Sequence, residues 1–306
     1  MRVLVRESIA DAGIDLLRSK FEVDDDQVTP LEEIIDRYDA IVIRSATKLT
    51  ADLIDRATNL KMIGRAGVGV DNVDIEAATR RGIVVANAPE STVVSAAEQT
   101  VGLMVALARN IPQAHAALKQ GRWERSKWGG VELEGKTLGV LGFGRIGQQV
   151  ARRAVGLGMH VVAYDPFVAD ERFRDLGVEH APGVDDVLGV ADFLTLHSPL
   201  TDETRGMINR ETIAKMKDGA RIVNAARGAL IDEQALAEAL TSGCGEFACL
   251  TRNCVESYLL RPQRLWYLVA APMILLRQAL AASRLTTRQH RHRHHLRQHR
   301  PHRLRS

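Results

Sequence analysis

Short apolar, β-branched runs alternate with stretches of helical spacing over residues 1–243, a rhythm that predicts an α/β fold built on parallel sheets. Residues 2–5 open as a strand, and residues 10–19 follow with apolar positions at helical intervals. Ala40-Ile41-Val42-Ile43 lies uninterrupted between Asp39 and Arg44, as expected of a strand covered on both faces. Met62-Ile63 and residues 83–85 read as further short strands. A helix-length segment separates each strand from the next, so the pairing should be parallel, because parallel neighbours need crossover connections. The result is a small doubly wound domain of about 90 residues.

A helical pattern over residues 95–118 comes next, with Leu103, Val105, Leu107 and Ala108 crowding its middle. It is read as one long stretch that either only connects two domains or packs on both. A second α/β series begins near Lys136, with strands at residues 137–141, 160–164, 193–196 and 221–223 and helices at 146–156 and 232–240. After Gly243 the alternation stops. Residues 284–305 are a low-complexity Arg/His/Gln segment with no core-forming pattern, expected to be disordered. The expected organisation is one doubly wound domain over residues 1–94, a second over 95–243 that stops before its sheet is complete, and a tail over 244–306.

Charge sharpens that division. The 306 residues sum to +3, but from Cys244 onward stand twelve Arg, no Lys, no Asp and two Glu, a balance of +10. Residues 1–243 therefore carry −7. All three cysteines (Cys244, Cys249, Cys254) and six of the ten histidines fall in the tail. A cysteine-free body needs no disulfide framework, which fits a reducing compartment. Only a short apolar run precedes Arg6, too little for a secretory signal. The longest uncharged apolar stretch, residues 265–276, would span about 18 Å as a helix, short of the ~30 Å hydrocarbon core. A cytoplasmic protein without membrane contact is expected.

The strongest chemical motif is Gly142-Phe143-Gly144-Arg145-Ile146-Gly147. It follows a predicted strand and opens a predicted helix, and the next strand runs into Asp165, 18 residues past Gly147. That is the full setting of a dinucleotide fingerprint. Gly142 permits a tight turn, Gly144 lets the backbone approach a pyrophosphate, and Gly147 lets the helix pack on the strand. The helix N-terminus offers free N–H groups and the positive end of its dipole. Asp165 can accept hydrogen bonds from ribose hydroxyls and would repel a 2′-phosphate, so NAD is the expected cofactor. Two later strand ends should face the same crevice, His197-Ser198-Pro199 and Asn224-Ala225-Ala226-Arg227-Gly228. His197 is read first as a satisfied strand-end histidine, whereas the small neighbours of Arg227 leave room for a ligand. No metal site is expected.

With these segments in view, the chain resembles the D-isomer-specific 2-hydroxyacid dehydrogenases. The resemblance is carried by Arg44-Ser45-Ala46-Thr47-Lys48, by Arg65-Ala66-Gly67-Val68-Gly69-Val70-Asp71-Asn72-Val73-Asp74, by Asn87-Ala88-Pro89 and by Ser95-Ala96-Ala97-Glu98. Gly121-Arg122-Trp123-Glu124-Arg125, the glycine motif, Tyr164-Asp165-Pro166 and residues 223–228 continue it. It is collinear over residues 1–243, and the stretch from Arg65 to Asn72 points to the branch acting on phosphoglycerate. The resemblance implies a flavodoxin-like substrate domain, a Rossmann NAD domain and a homo-oligomer. It implies oxidation of 3-phosphoglycerate to 3-phosphohydroxypyruvate, the first step of serine biosynthesis. Arg145, Ile146, Asp165, Ser198, Ala225 and Ala226 match cofactor-binding positions, together with the glycines, and Val68 matches one where contact would be through backbone. Arg227 matches the catalytic arginine that holds the substrate carboxylate. Arg44, Ser45, Arg65 and Gly67 match the substrate face, and Arg125 is a weaker candidate. Guanidinium forks suit a doubly anionic small molecule.

The chain departs from the family after Gly243. The histidine that exchanges the hydroxyl proton in the family, and the glutamate that tunes it, belong to segments absent here, where the chain instead reads Gly243-Cys244-Gly245-Glu246-Phe247-Ala248-Cys249. The change, with its loss of lysine and excess of Arg and His, looks like translation in a shifted reading frame. Impaired turnover is therefore expected, and a non-enzymatic NAD-binding sensor is the alternative. Nucleic-acid or metal binding by the tail is a lesser alternative, since it lacks regularly interleaved aromatics and a defined ligand geometry.

Overall fold

The computed structural model describes residues 1–242. It contains two five-stranded sheets in which every pairing is parallel. The first sheet comprises β1 (Arg2–Val5), β2 (Glu22–Asp25), β3 (Ala40–Ile43), β4 (Met62–Arg65) and β5 (Val84–Asn87), ordered β2-β1-β3-β4-β5. The second comprises β6 (Thr137–Leu141), β7 (His160–Tyr164), β8 (Glu179–His180), β9 (Phe193–Leu196) and β10 (Arg221–Asn224), ordered β10-β9-β6-β7-β8. The first order is that of a flavodoxin-like sheet and the second that of a Rossmann sheet. Each reverses direction beside its first strand, between β1 and β3 and between β6 and β9, and such switch points open a crevice at the carboxyl ends of the strands.

Both sheets are covered on two faces, which is why their central strands read as unbroken apolar runs. Leu4, Ile41, Ile43 and Ile63 belong to the first core with Leu31, Ile35, Leu53 and Ala77 from the flanking segments. The second sheet has a core on each side. One holds Leu138, Val140, Phe143, Val150, Ala154 and Phe173, the other Leu141, Leu194, Leu196, Ile222 and Leu236. Gly139 on β6 has no room for a Cβ, which would lie 2.7 Å from Val187 and 2.9 Å from Ala191.

The helical pattern expected over residues 95–118 is two helices, Val93–Ala108 and Ile111–Lys119. Asn110 breaks it in the left-handed region (φ 51°, ψ 33°) and donates its amide to the Gly129 carbonyl at 2.5 Å. Pro112 gives the reason. Inside a continuous helix its ring would press on the Ala108 carbonyl, whereas near the start of a new helix it is tolerated. The first of the two helices buries Ala97, Leu103, Met104 and Ala108 in the core of the second sheet. The fifth strand lies at Val84–Asn87 rather than at 83–85. β2 and the two-residue β8 are outer strands that the apolar pattern did not reveal. The expected disorder of the tail and the early end of the second sheet concern residues outside those described.

Candidate functional site

The carboxyl end of β6 runs into the glycine turn. Gly142 adopts φ 93°, and a Cβ there would lie 2.5 Å from the Ser198 nitrogen and 2.6 Å from the His197 carbonyl carbon. The turn is thus pressed against the end of β9, and only glycine allows it. A Cβ on Gly147 would overlap the Gly142 carbonyl oxygen. Gly144 differs, since nothing lies within 4 Å of where its Cβ would be. This open ground fronts the N-terminus of the helix Arg145–Gly156, which has no side-chain cap. The first-turn N–H groups are therefore available to an anion.

Asp165, just past β7, binds this turn. Its Oδ2 accepts from the Phe143 nitrogen at 2.8 Å and its Oδ1 from the Phe167 nitrogen at 2.9 Å. Each carboxylate oxygen keeps a further lone pair for an external hydroxyl. Arg145 reaches across to the Pro89 carbonyl (3.4 Å), while the partly buried Ile146 packs on the second-sheet core. At the end of β10, buried Asn224 staples the following turn, accepting from the Ala226 nitrogen at 3.0 Å and donating to the Arg227 carbonyl at 2.8 Å. Ala225 and Ala226, Ser198 and the glycines thus follow the carboxyl ends of the neighbouring strands β10, β9 and β6.

On the first sheet, Glu7 follows β1 and organises the loop after β3. Its carboxylate accepts from the nitrogens of Arg44 (2.8 Å), Ala46 (3.1 Å) and Thr47 (2.9 Å). Burial is the largest single influence on this carboxyl and raises its pKa, but the N–H groups of Thr47, Arg44 and Ala46 and the Thr47 hydroxyl together outweigh it. The net position is below the usual range. The Asn72 amide donates to the carbonyls of Arg44 (2.7 Å) and Thr47 (2.6 Å), closing the loop from the other side. Ser45 is left exposed at its apex, and the Arg44 guanidinium reaches the Ser8 carbonyl at 3.2 Å.

Arg65, the last residue of β4, is 8% exposed, and its Nε is buried with no hydrogen-bond partner among the described residues. A Cβ at Gly67 would overlap its guanidinium. The Gly67 N–H donates to the Arg65 carbonyl at 2.8 Å, so this glycine contributes space rather than a free donor. The Val68 carbonyl is taken by the Asn87 amide at 2.6 Å. Burial first, and then the positive charge of Arg227, lower the pKa of Arg65. Arg227 itself reaches from β10 to the first sheet. Its Nε and Nη2 bind Asp71 at 2.9 and 2.7 Å, and Nη1 donates to the Ala226 carbonyl at 3.0 Å. That hydrogen bond is the main reason the Asp71 carboxyl lies below its ordinary range.

Two guanidiniums, one from each sheet, thus meet the same glycine-rich loop in a half-buried setting, Arg65 against Gly67 and Arg227 against Gly69. Arg44 is nearby on the outer face, whereas Arg125 lies exposed on the segment after Ile111–Lys119. His197 keeps some exposed surface, but the protein packed around its ring pushes its pKa down to about 4, and Nε2 lies 3.0 Å from the Thr195 hydroxyl. Sequence reasoning singled out neither Glu7 nor the roles of Asp71, Asn72 and Asn224. Glu7, Asp71 and Asn72 act through long-range contacts that no local pattern encodes, whereas Asn224 closes a local turn with Ala226 and Arg227; all but Glu7 lie within the quoted motifs. Among the described residues no group of three or more His, Cys, Asp or Glu could hold a metal ion, and no helix is long and apolar enough to cross a membrane.

The family model described as D-isomer specific 2-hydroxyacid dehydrogenase, NAD binding domain, matches residues 101–252. A D-3-phosphoglycerate dehydrogenase of Methanocaldococcus jannaschii is 51% identical over 246 residues, covering 79% of this chain and 47% of that protein. The chain spans about half the length of the curated relatives it matches. Among solved structures, a glyoxylate reductase from Paecilomyes thermophila is 31% identical, covers 88% of this chain and 87% of its own, and superposes with a TM-score of 0.77. A D-lactate dehydrogenase from Aquifex aeolicus, solved with NAD and lactic acid, is 28% identical over 82% of this chain and 76% of its own, with a TM-score of 0.72.

Proposed function

Because the chain belongs to the D-isomer-specific 2-hydroxyacid dehydrogenase family, we propose that its site binds NAD and a small phosphorylated 2-hydroxy acid, with 3-phosphoglycerate the first choice. The reaction would be oxidation to 3-phosphohydroxypyruvate, the entry to serine biosynthesis. The observation that carries this reading is the pair of guanidiniums, Arg65 against Gly67 and Arg227 against Gly69, brought to one loop from the two sheets.

The residues fit the cofactor. The space in front of Gly144 is a cradle that a Cβ would enter, and the uncapped helix start behind it suits a pyrophosphate. Gly142, Gly144, Arg145, Ile146 and Gly147 would line the phosphates, Asp165 the ribose, and Ser198, Ala225 and Ala226 the nicotinamide side. When bound, NAD supplies the hydride acceptor. The chain's own part is to bind and orient. Arg227 takes the substrate carboxylate and polarises the adjoining carbon–oxygen bond. Arg65, Arg44, Ser45 and Gly67 form the face for the phosphate, where the partnerless buried Nε of Arg65 is a donor in want of an acceptor. The division into residues 1–94, 95–243 and 244–306, homo-oligomeric assembly and a cytoplasmic location belong to the same proposal.

The test is binding to the purified full chain in the presence of NADH, a combination that cannot react with a hydroxy acid. 3-Phosphoglycerate should bind at least ~10-fold more tightly than glycerate or lactate, since a second anionic end engages further charge-assisted hydrogen bonds. Equal affinity for lactate removes the phosphate part and leaves the broader class. Arg227→Lys keeps the charge but loses the fork, and should weaken all three acids. A second reading, a non-enzymatic NAD sensor, draws on the depressed pKa of His197, the one described histidine beside the glycine turn. Any NADH formed from a hydroxy acid and NAD counts against it.

A further inference from the structure

We propose that Asp71 is the positioning residue for Arg227, fixing one edge of its guanidinium so that the adjoining end-on edge faces a substrate carboxylate. The inference rests on the reading of Arg227 given above, and it starts from a count of donors. A guanidinium has five N–H groups in a rigid plane. The Nε group is shared between the two Asp71 oxygens at 3.1 and 2.9 Å. Nη2 gives one N–H to Asp71 Oδ1 at 2.7 Å, and Nη1 gives one to the Ala226 carbonyl at 3.0 Å. Asp71 thus holds the side of the plane along Nε and Nη2. One N–H group remains on each terminal nitrogen, and the edge between Nη1 and Nη2 is the one on which a carboxylate can be accepted end-on, in bidentate fashion.

Asp71 is well placed to set that aim because its own loop is pinned. Asn72 next to it donates to Arg44 and Thr47, and its carbonyl accepts from the Leu49 nitrogen at 2.8 Å. Asp74 caps the helix Ile75–Arg80 through the Ala77 nitrogen at 2.8 Å. Space is equally constrained. A Cβ on Gly69 would overlap Arg227 Nη2 and lie 2.8 Å from Asp71 Oδ1. Charge adds a second reason. Arg65 and Arg227 repel each other, and Asp71 attracts both. Without this carboxylate, Arg227 would turn away from Arg65 and from the direction in which its fork now faces. The pair also joins positions 156 residues apart, on the first sheet and the second, so the fork is aimed only when the two sheets stand in this arrangement.

An opposite role is conceivable for the same contact, in which Asp71 occupies the site and the substrate must displace it. The two differ in sign. The full chain saturated with NADH is titrated with 3-phosphoglycerate by calorimetry, comparing wild type, Asp71→Asn, Arg227→Lys and the double variant. Asp71→Asn is nearly isosteric but replaces an acceptor with an N–H group that faces Arg227. We expect 3-phosphoglycerate to bind about ten-fold more weakly to Asp71→Asn, with NADH affinity and thermal midpoint as in wild type. On the Arg227→Lys background the same change should cost less than about three-fold, because the coupled partner is already gone. Tighter or unchanged binding in Asp71→Asn, when Arg227→Lys weakens it, overturns the positioning role alone. An equal loss of NADH affinity also overturns it, by revealing a structural effect. If Arg227→Lys has no effect, the reading of Arg227 fails and takes this one with it.

Discussion

Replacing Gly144 and Gly147 one at a time by alanine separates the dinucleotide site from the fold that carries it. At Gly147 the new methyl would overlap the Gly142 carbonyl oxygen and lie 3.4 Å from Val140 Cγ1. Backbone cannot rotate aside as a side chain can, so the clash behaves as overpacking and costs about 1–3 kcal/mol. With roughly 2–4 °C per kcal/mol in a protein of this size, the midpoint should fall by about 2–12 °C. At Gly144 the backbone (φ −70°, ψ −163°) already suits an L-residue, and the methyl meets nothing. Reduced freedom of the unfolded chain would stabilise Gly144→Ala by ~0.4–1 kcal/mol, while alanine is a poorer helix cap than glycine by a comparable amount. The midpoint should therefore barely move. NADH affinity should, because the methyl enters the space where the pyrophosphate meets the helix N-terminus. Losing one charge-assisted hydrogen bond, about 1.5–3 kcal/mol, weakens binding about 10–100-fold. Thermal unfolding followed by circular dichroism and NADH fluorescence titration read the two quantities independently. Gly144→Ala binding NADH within about two-fold of wild type would show that the pyrophosphate does not cross Gly144.

Asp165→Asn keeps an acceptor for one of the two backbone N–H groups that Asp165 serves but removes its charge. The preference for NADH over NADPH should then fall by about ten-fold, and an unchanged ratio of dissociation constants would remove Asp165 from the ribose site. His197 should titrate by NMR at about 4, against 6.5 for an ordinary histidine. Its folded pKa is lowered, so between those values the unfolded chain binds more protons and stability rises with pH, levelling off above pH 6.5. His197→Asn should flatten that rise in urea unfolding, and a ring titrating near 6.5 would refute the burial argument.

The parts of the fold that were legible in the sequence are those fixed by burial. Thr137–Leu141, His160–Tyr164 and Phe193–Leu196 coincide with the strands read from their apolar runs, because interior strands of a covered sheet admit little else. Glu22-Val23-Asp24-Asp25 carries no such pattern. It is a strand only because β1 offers a parallel edge, with Arg2 bound to Asp24 at 2.9 Å. The glycine turn was legible for a different reason, since its spacing between a strand and a helix is itself a signature, with Gly142 and Gly147 leaving no room for a Cβ. The hold on Arg227 was not. Its partner lies 156 residues away, and an aspartate within a glycine-rich stretch looks locally like any loop acid. Glu7 is another such residue, a lone carboxylate after a strand until three N–H groups from residues 44–47 are seen to meet on it.

Oxidising a 2-hydroxy acid releases a hydroxyl proton along with the hydride, and a base near the carboxylate clamp has to receive it. The described residues include four histidines. His115 lies on the helix Ile111–Lys119. His160 pairs with Glu179 at 3.0 Å and His180 with Asp170 at 2.7 Å. These resemble acid–base pairs, but they stand on β7 and β8, towards the sheet edge opposite β10 and Arg227. His197 is beside the glycine turn, yet with a pKa of about 4 it is too weak a base to hold a proton near neutrality. A positioned base is worth about 10²–10⁴-fold. Against a usual turnover near ~10 s⁻¹, a site that relies on the described residues alone should oxidise 3-phosphoglycerate at ~0.1 s⁻¹ or less. Initial rates of NADH formation by purified, metal-free protein measure this directly. A rate near ~10 s⁻¹ would overturn it, and the pH profile would then identify the base. An inflection near 4 would point to His197, and one near 6.5 to another histidine.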